Sequence, residues 1–324
     1  MDVKVFVFVT HNAGRADDSA PELAAAAGRF FPGCTPTALL AGSGPSLEAA
    51  CRDAAGTFQE VWKFDEEALA YPNAELLRPL LVKVLPPGAR VVLSHGTLGM
   101  DLGPGLAVKL GAAYIPDVVA PGGLEGSTLT VVRQEFNGQV SAHVQCELAQ
   151  GAVITVRSGA FRPDAASPAG GQVVDRSAEA AGLTARRRFV RLVPTEAGDI
   201  DITREDVLVS VGRGIGDQEN LALVHDLAEA MGAAVACSRP LVDAKWLEKP
   251  RQVGTSGQTV KPRIYLALGI SGSFQHLGGL KGNPYLVAVN TNPKAPIFQA
   301  ATIGVVADLL ELVPALTELI TQGK

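Results

Sequence analysis

The sequence predicts an α/β protein of two domains, each with a mainly parallel sheet flanked by helices, the second domain being Rossmann-like. Two observations favour this class. Apolar runs of strand length alternate with segments of helical composition in both halves of the chain, a pattern typical of parallel sheets covered on both faces. With 324 residues, 47% of them hydrophobic, the chain is also long enough to bury two cores.

The first half is predicted to begin with a strand at residues 3–10, and a further strand is predicted at residues 90–93. Helices are predicted where Ala and Leu dominate, at residues 21–29, 46–55, 76–85 and around 105–110. Three apolar runs without helices follow, at residues 129–136, 139–147 and 153–157. Because Asn137-Gly138 between the first two is a strong hairpin signal, we expect the runs to extend the sheet as antiparallel strands.

The composition then changes between about residues 163 and 203, where small, breaker-rich and polar stretches replace the apolar runs. We place the domain boundary near residue 200, which gives domains of residues 1–200 and 201–324. Beyond it the alternation resumes. Strands are predicted at residues 207–211, 233–237, 264–268 and 285–289, and helices at 217–231 and 307–321.

Composition and charge exclude several classes of protein. A formal net charge of −5 with 19% charged residues gives no basic footprint for nucleic acid or an anionic membrane. The four cysteines stand far apart, which excludes the spacings of zinc and iron–sulfur sites and favours reduced thiols. No run reaches the roughly 18 apolar residues of a membrane span, and the first residues lack signal-peptide character. We therefore expect a cytoplasmic protein without membrane insertion.

Glycines follow the strand at residues 207–211, in the order Gly212-Arg-Gly-Ile-Gly216. A glycine turn between a strand and a helix offers free N–H groups to a phosphate. The spacing differs from G-x-G-x-x-G, and the next strand ends without the acidic residue that binds a ribose. These departures disfavour a plain NAD site, whereas Arg213 favours a phosphate or flavin. A tight turn without a ligand is the alternative.

Polar side chains also follow the other strands of the second half. Arg239 follows the strand at residues 233–237, where its charge can face a ligand or, equally consistently, form a surface ion pair with Asp243. A loop with hydroxyl side chains spans residues 253–257. Ser271, Ser273, Gln275 and His276 follow the next strand, Asn290 ends another, and Asp308 begins the last helix. Because parallel strands end at one edge of a sheet, these groups predict a crevice there.

These motifs resemble those of the electron transfer flavoprotein α subunit. The resemblance covers roughly residues 205–320, and the first half matches mainly in layout. It rests on Val211-Gly-Arg-Gly214, Ser238-Arg-Pro-Leu-Val-Asp243, Arg251-Gln-Val-Gly-Thr-Ser-Gly257, Gly269-Ile-Ser-Gly-Ser-Phe-Gln-His276, Val289-Asn290, Ala295-Pro-Ile-Phe298 and Val306-Ala-Asp-Leu309.

The resemblance implies a heterodimer in which the first domain pairs with a β subunit and the second binds one FAD. Such a protein is an electron carrier and not an enzyme. It passes electrons from acyl-CoA or other flavin dehydrogenases, as in fatty acid β-oxidation, to a quinone oxidoreductase or another acceptor. A stand-alone NAD- or flavin-dependent dehydrogenase is the alternative, and a structural partner without a cofactor is the third possibility.

The resemblance also implies the residues that contact FAD. Arg239 and His276 are expected to favour the reduced flavin as cationic or hydrogen-bonding groups, and Ser256 to bond N5. The backbone of residues 271–274 is expected to face the pyrophosphate, and Asp308 the adenosine end. The full set is Arg213, Ser238, Arg239, Val253, Gly254, Thr255, Ser256, Ser271, Gly272, Ser273, Phe274, Gln275, His276, Asn290, Asp308 and Leu309.

The chain departs from the family pattern at three places. Ser256 replaces the usual threonine and keeps its hydroxyl. Asn290-Thr-Asn-Pro293 replaces the more usual Asn-Lys-Asp-Pro and removes two charges, and Thr302-Ile303 replaces a common Tyr-Gly. None of these changes removes an implied contact, but they predict altered flavin tuning or partner choice.

Overall fold

A computed structural model describes residues 4–136, 140–163, 170–191 and 200–323. The chain divides into two compact units, unit 1 (residues 1–191) and unit 2 (residues 192–324). The boundary expected near residue 200 stays a prediction, because residues 192–199 lie outside the described ranges. Among the described residues, no helix combines the length and apolar character needed to span a bilayer.

Unit 1 is built on one large sheet and a short hairpin. Its strands are β1 (Val5–Phe8), β2 (His11–Asn12), β3 (Arg15–Ala16), β4 (Thr37–Gly42), β5 (Glu60–Asp65), β6 (Arg90–Ser94), β7 (Ala113–Glu125), β8 (Thr128–Glu135), β9 (Val140–Glu147), β10 (Ala152–Val156) and β11 (Gln172–Asp175). Its α-helices are α1 (Ala20–Phe30), α2 (Gly44–Ala54), α3 (Ala74–Val84) and α4 (Thr97–Leu110), with 3-10 turns at Glu67–Leu69 and Ser177–Ala180.

The strand order of the large sheet is β11-β5-β4-β1-β6-β10-β7-β8-β9. All neighbours from β11 to β7 are parallel, and only β7–β8 and β8–β9 pair antiparallel. α1 and α2 bury side chains such as Leu23 and Leu47 on one face of the sheet. α3 and α4 bury Leu77 and Leu102 on the other face. The parallel sheet covered on both faces is therefore confirmed for unit 1.

The expectation of three consecutive antiparallel strands is wrong for the third run. β10 lies between β6 and β7 and is parallel to both, with Val153 opposite Val91 and Tyr114. All five residues of β10 are buried, as expected of a central parallel strand. The first two runs, β8 and β9, are antiparallel as predicted. The predicted Asn137-Gly138 turn lies outside the described residues.

Unit 2 contains strands β12 (Val207–Val211), β13 (Ala234–Cys237), β14 (Ile264–Leu268), β15 (Tyr285–Asn290) and β16 (Ile303–Val306). Its α-helices are α5 (Leu221–Met231), α6 (Arg239–Asp243), α7 (Phe274–Gly278), α8 (Ile297–Ala300) and α9 (Leu309–Gln322). Its 3-10 turns are Ile202–Arg204, Arg213–Ile215, Gln218–Asn220 and Lys249–Arg251. The predicted helix at 217–231 thus begins as a 3-10 turn.

The unit 2 sheet has the order β13-β12-β14-β15-β16, and every pair in it is parallel. α5 and α9 pack on one face, burying Val224 and Val313. Val253, Ile270 and Ile297 pack on the other face. If the five strands are numbered 1 to 5 along the chain, their order in the sheet is 2-1-3-4-5, which is a doubly wound arrangement. The topological switch point of this arrangement lies between β12 and β14. A ligand is expected outside the carboxyl ends of these two strands.

Candidate functional site

A crevice of about 620 Å³ lies at the carboxyl end of the unit 2 sheet. Residues that follow four of its strands line it: Arg213 after β12, Ser238 after β13, Ser271 after β14, and Asn290 at the end of β15. The crevice therefore lies at the switch point between β12 and β14. This is the edge at which doubly wound sheets bind ligands.

Most of the residues expected at the site line this crevice. They are Arg213, Ser238, Arg239, Val253, Gly254, Thr255, Ser256, Ser271, Ser273, Gln275, His276 and Asn290. Six further residues line the crevice that the sequence motifs did not predict: Gly214, Pro240, Asp243, Gln252, Gly269 and Ile270. All six lie within or directly beside those motifs, so their position next to predicted residues was the available signal.

Four of the expected residues are not among the residues that line the crevice. Gly272 packs against α8, where an added Cβ would lie 2.3 Å from the Ile297 nitrogen. Phe274 is exposed at the start of α7. Asp308 caps α9 by accepting a hydrogen bond from the Leu310 nitrogen at 2.8 Å, and Leu309 is buried in the core under α9. Contacts of these residues with a cofactor stay predictions.

The floor of the switch point is made of glycine backbone from two strand ends. The Gly214 nitrogen donates to the Gly269 carbonyl at 3.0 Å. A Cβ on Gly269 would lie 2.7 Å from the Gly214 Cα, and Gly269 has φ of 62°. The backbones of the β12 and β14 loops can approach this closely only because neither residue has a side chain. The result is a surface that a phosphate or ring can approach without meeting side chains.

Arg239 contributes a positive charge at the end of β13. Its Nε lies 3.3 Å from Asp243 Oδ2, so the ion pair considered as an alternative is present. Both side chains are more than 60% exposed, at 66% and 63%. Such exposed pairs contribute about 0.2–1 kcal/mol. Asp243 therefore does not prevent Arg239 from binding a ligand in the crevice that both residues line.

The hydroxyl of Ser256 is held by a buried amide. Gln252, which is 3% exposed, donates from Nε2 to Ser256 Oγ at 2.9 Å. The Thr255 nitrogen donates to the Gln275 carbonyl at 2.8 Å and joins this loop to the segment that carries His276. Because Ser256 Oγ accepts from Gln252, its own hydrogen is free to be donated to a ligand.

Asn290 has a local partner in the structure. Its Nδ2 donates to the Ile270 carbonyl at 3.0 Å, and its Oδ1 accepts from the Asn292 nitrogen at 2.9 Å. The side chain thus fixes the loops after β14 and β15 relative to each other. This shapes the crevice wall even without a direct ligand contact.

His276 is 4% exposed and lies within hydrogen-bond distance of one side chain, Tyr265, whose hydroxyl is 2.8 Å from Nε2. Burial lowers the pKa of His276 to about 4, against a smaller raising effect of the Val253 carbonyl. The imidazole is therefore neutral at pH 7, so of the two roles expected for His276, cationic or hydrogen-bonding, the hydrogen-bonding one is favoured. Its buried Nδ1 has no partner of full hydrogen-bond geometry among the described residues.

Comparison with known protein families gives two matches along the chain. The family described as "Electron transfer flavoprotein domain" matches residues 5–181. The family described as "Electron transfer flavoprotein FAD-binding domain" matches residues 201–281. The second match includes the crevice residues from Arg213 to His276.

Three relatives illustrate the similarity. A probable electron transfer flavoprotein subunit alpha, mitochondrial, of Cryptococcus neoformans var. grubii is 33% identical over 96% of this chain and 90% of its own length. The electron transfer flavoprotein subunit alpha of Methylophilus methylotrophus is 38% identical over 68% of each chain. The lactate dehydrogenase (NAD(+),ferredoxin) subunit LctC of Acetobacterium woodii is 33% identical over 81% of this chain, and the match spans 63% of the LctC length.

The crevice fits the FAD that these matches indicate. Its glycine floor suits a phosphate or ring, and Arg213 and Arg239 supply positive charge. The buried Nδ1 of His276, without a well-formed partner, is a polar atom that a ligand can satisfy. On the family match across residues 5–181 and the relative aligned over 96% of this chain, the chain belongs to the electron transfer flavoprotein family, among its α subunits, and its cofactor is FAD.

Proposed function

We propose that this chain is the FAD-carrying half of a heterodimer with a β subunit, in which it transfers electrons between a flavin dehydrogenase and an acceptor protein. The observation that carries the proposal is the crevice at the switch point of unit 2, with its glycine floor and the two arginines that line it. Pairing of residues 1–200 with a β subunit is carried over from the family. A cytoplasmic location stays a prediction from the sequence.

Bound FAD supplies the one- and two-electron chemistry of the protein. The chain's own residues bind and orient it. Arg213 and Arg239 offer charge, Ser256 offers a hydroxyl hydrogen that Gln252 leaves free, and neutral His276 offers a ring nitrogen. Arg239 near the ring is expected to favour the reduced form, because reduced flavin carries negative charge near N1 and the C2 carbonyl.

An electron carrier is favoured over an enzyme that turns over a small substrate. Within the described part of the chain, the crevice is lined by a single carboxylate, Asp243, and that group is paired with Arg239. Its one histidine, His276, is buried and neutral. This set offers no pair of groups suited to proton transfer to and from a substrate.

The donor and acceptor are proposed by class only. Acyl-CoA dehydrogenases and other flavin dehydrogenases are candidate donors, and a quinone oxidoreductase or another protein is the acceptor. Fatty acid β-oxidation is one setting for this function. The name of the LctC relative, a lactate dehydrogenase subunit, favours including dehydrogenases of hydroxy acids among the donors.

The proposal is tested by co-expressing this chain with a β subunit encoded in the same genome. The purified complex is expected to be a yellow heterodimer whose FAD is bleached by a reduced flavin dehydrogenase and restored by the acceptor. A stable monomer that oxidises a small substrate directly would support the stand-alone dehydrogenase instead. An assembled heterodimer without a flavin spectrum would contradict both.

A further inference from the structure

Tyr265 is a buried polar residue that packing alone does not explain. It lies in the central strand β14, is 0% exposed, and stands opposite Leu208 and Leu286 in the neighbouring strands. Phenylalanine would fill this apolar position equally well. A buried hydroxyl costs free energy unless it is hydrogen-bonded, and that of Tyr265 lies 2.8 Å from His276 Nε2.

The direction of this hydrogen bond follows from the neighbours of the two rings. Among the described residues, Nε2 is the one atom that meets the Tyr265 hydroxyl with full hydrogen-bond geometry. A buried phenol hydrogen without an acceptor costs free energy, so Tyr265 donates to Nε2. The accepting Nε2 then has a lone pair, and the hydrogen of the neutral ring is on Nδ1.

Ser210 is the other hydroxyl near Tyr265. It is fully buried in β12, two residues along from Leu208, the partner of Tyr265, and therefore on the same face of the sheet. Its Oγ makes no hydrogen bond of full geometry with the described residues, so it does not take the phenol hydrogen from Nε2. Burial raises the pKa of Tyr265, which keeps the phenol protonated at pH 7 and able to donate.

We propose that Tyr265 is a positioning residue that fixes His276 in one neutral tautomer, with the hydrogen on Nδ1, at the lining of the crevice. Tyr265 occupies Nε2, so Nδ1 is the one ring nitrogen left to meet a ligand, and it meets the ligand as a donor. The tautomer itself does not depend on the function of the protein. The consequence for redox chemistry rests on the proposed function: a donor at Nδ1 favours the reduced flavin.

The tautomer can be measured directly in the full chain, assembled with its β subunit. The chain has five histidines, so selective ¹⁵N-histidine labelling gives few signals, and His276→Gln identifies the signal of interest. Long-range ¹H–¹⁵N spectra at pH 7 are expected to show a protonated Nδ1 and an unprotonated, hydrogen-bonded Nε2. A protonated Nε2 in the unmodified protein would overturn the proposal without any variant.

Two variants test the role of Tyr265 in this arrangement. Tyr265→Phe removes the donor and keeps the ring, so the Nε2 resonance is expected to move downfield, to the value of an acceptor without a hydrogen bond. Ser210→Ala, which removes the other nearby hydroxyl and keeps the phenol, is expected to leave the same resonance close to its original position. Tyr114→Phe, which removes a half-buried phenol hydroxyl in unit 1, is the matched control and should leave His276 unchanged. An unmoved Nε2 resonance in Tyr265→Phe would refute the positioning role.

Redox titration of the same proteins gives an independent reading. Tyr265→Phe is expected to lower the flavin reduction potential, so that the ratio of oxidised to reduced flavin at a fixed potential rises several-fold to tenfold. A tenfold change corresponds to about 30 mV for two electrons. Tyr114→Phe should leave the potential unchanged. If Tyr265→Phe changed the tautomer but not the potential, Tyr265 would still position His276, but His276 would have no effect on the flavin potential. If the complex carried no flavin, the proposed function would fail while the spectra still decided the tautomer.

Discussion

At the scale of single residues, the polar groups of the crevice are oriented by partners within unit 2. Gln252 bonds Ser256, Tyr265 bonds His276, and Asp243 pairs with Arg239. Side chains fixed in this way lose less conformational entropy when a ligand binds. The crevice is therefore largely organised for its cofactor by its own structure.

The sequence was sufficient to predict where these residues lie but not how they are partnered. Arg239 and His276 follow predicted strands, and the carboxyl ends of parallel strands meet at one edge. The charge of His276 was not predictable, because it depends on burial against Tyr265, which lies in the preceding strand. Gln252 was overlooked for the same reason, since only the folded loop brings its amide to Ser256.

Replacing Arg239 with Ala is expected to lower the flavin reduction potential, because a positive charge that favours the reduced ring is lost. A tenfold change in the equilibrium corresponds to about 59 mV for one electron, and a shift of that order is expected in a potentiometric titration. Arg204→Ala is the matched control: Arg204 is also exposed and ion-paired, with Asp201, but lies outside the crevice. Equal titration curves for Arg239→Ala and the unmodified protein would exclude the role of Arg239.

The buried, neutral His276 predicts a pH dependence of stability. Its pKa is lowered in the folded protein from 6.5 to about 4, so the unfolded chain binds a proton more readily than the folded one. The free energy of unfolding is therefore expected to fall as the pH drops below about 6.5, and to level off below about 4. Between pH 7 and pH 4.5 this amounts to about 2 kcal/mol.

Urea unfolding across this pH range measures the effect. His276→Gln is expected to flatten the slope, whereas His225→Gln, at an exposed position on α5, should keep it. If the slope were the same in all three proteins, another group would be responsible for the acid sensitivity.

At the scale of elements, the strands end in loops whose sequences fit their conformations. β14 runs into Gly269, whose positive φ and close contact with Gly214 leave no room for a side chain. The strands β12, β14 and β15 were predicted correctly because they are apolar runs with glycine or polar residues after them. Seven strands were not predicted: β2, β3, β4, β5, β7, β11 and β16. β2 and β3 have two residues each, and Glu60–Asp65 carries charges that interrupt an apolar run. The position of β10 was mistaken because pairing across the sheet is not encoded in the order of apolar runs.

The glycine floor is tested by adding a single methyl group. Gly269→Ala is expected to destabilise unit 2 by more than the roughly 1 kcal/mol of backbone strain, and to release FAD, because the Cβ would overlap the Gly214 backbone. Gly232→Ala is the matched control, since Gly232 has nearly the same φ, 63°, but open space around its Cβ position. Thermal unfolding and the FAD absorbance of the purified protein measure both effects. Retention of FAD by Gly269→Ala would show that this floor does not carry the cofactor.

At the scale of the whole molecule, the chain consists of two α/β units, and the two family matches follow this division, at residues 5–181 and 201–281. Alternation of strands and helices was enough to predict a mainly parallel sheet in each unit. The specific function was not contained in that alternation, because doubly wound sheets serve many ligands. It came from the residues at the strand ends of unit 2.

The position of FAD in the crevice of unit 2 is tested by a crystal structure of the heterodimer with its cofactor. Flavin density is expected beside Arg239, Ser256 and His276, with the pyrophosphate at the backbone of residues 271–274. His276 Nδ1, and not Nε2, should face the flavin. Flavin density elsewhere in the complex, with this crevice filled by solvent, would exclude the crevice as the FAD site.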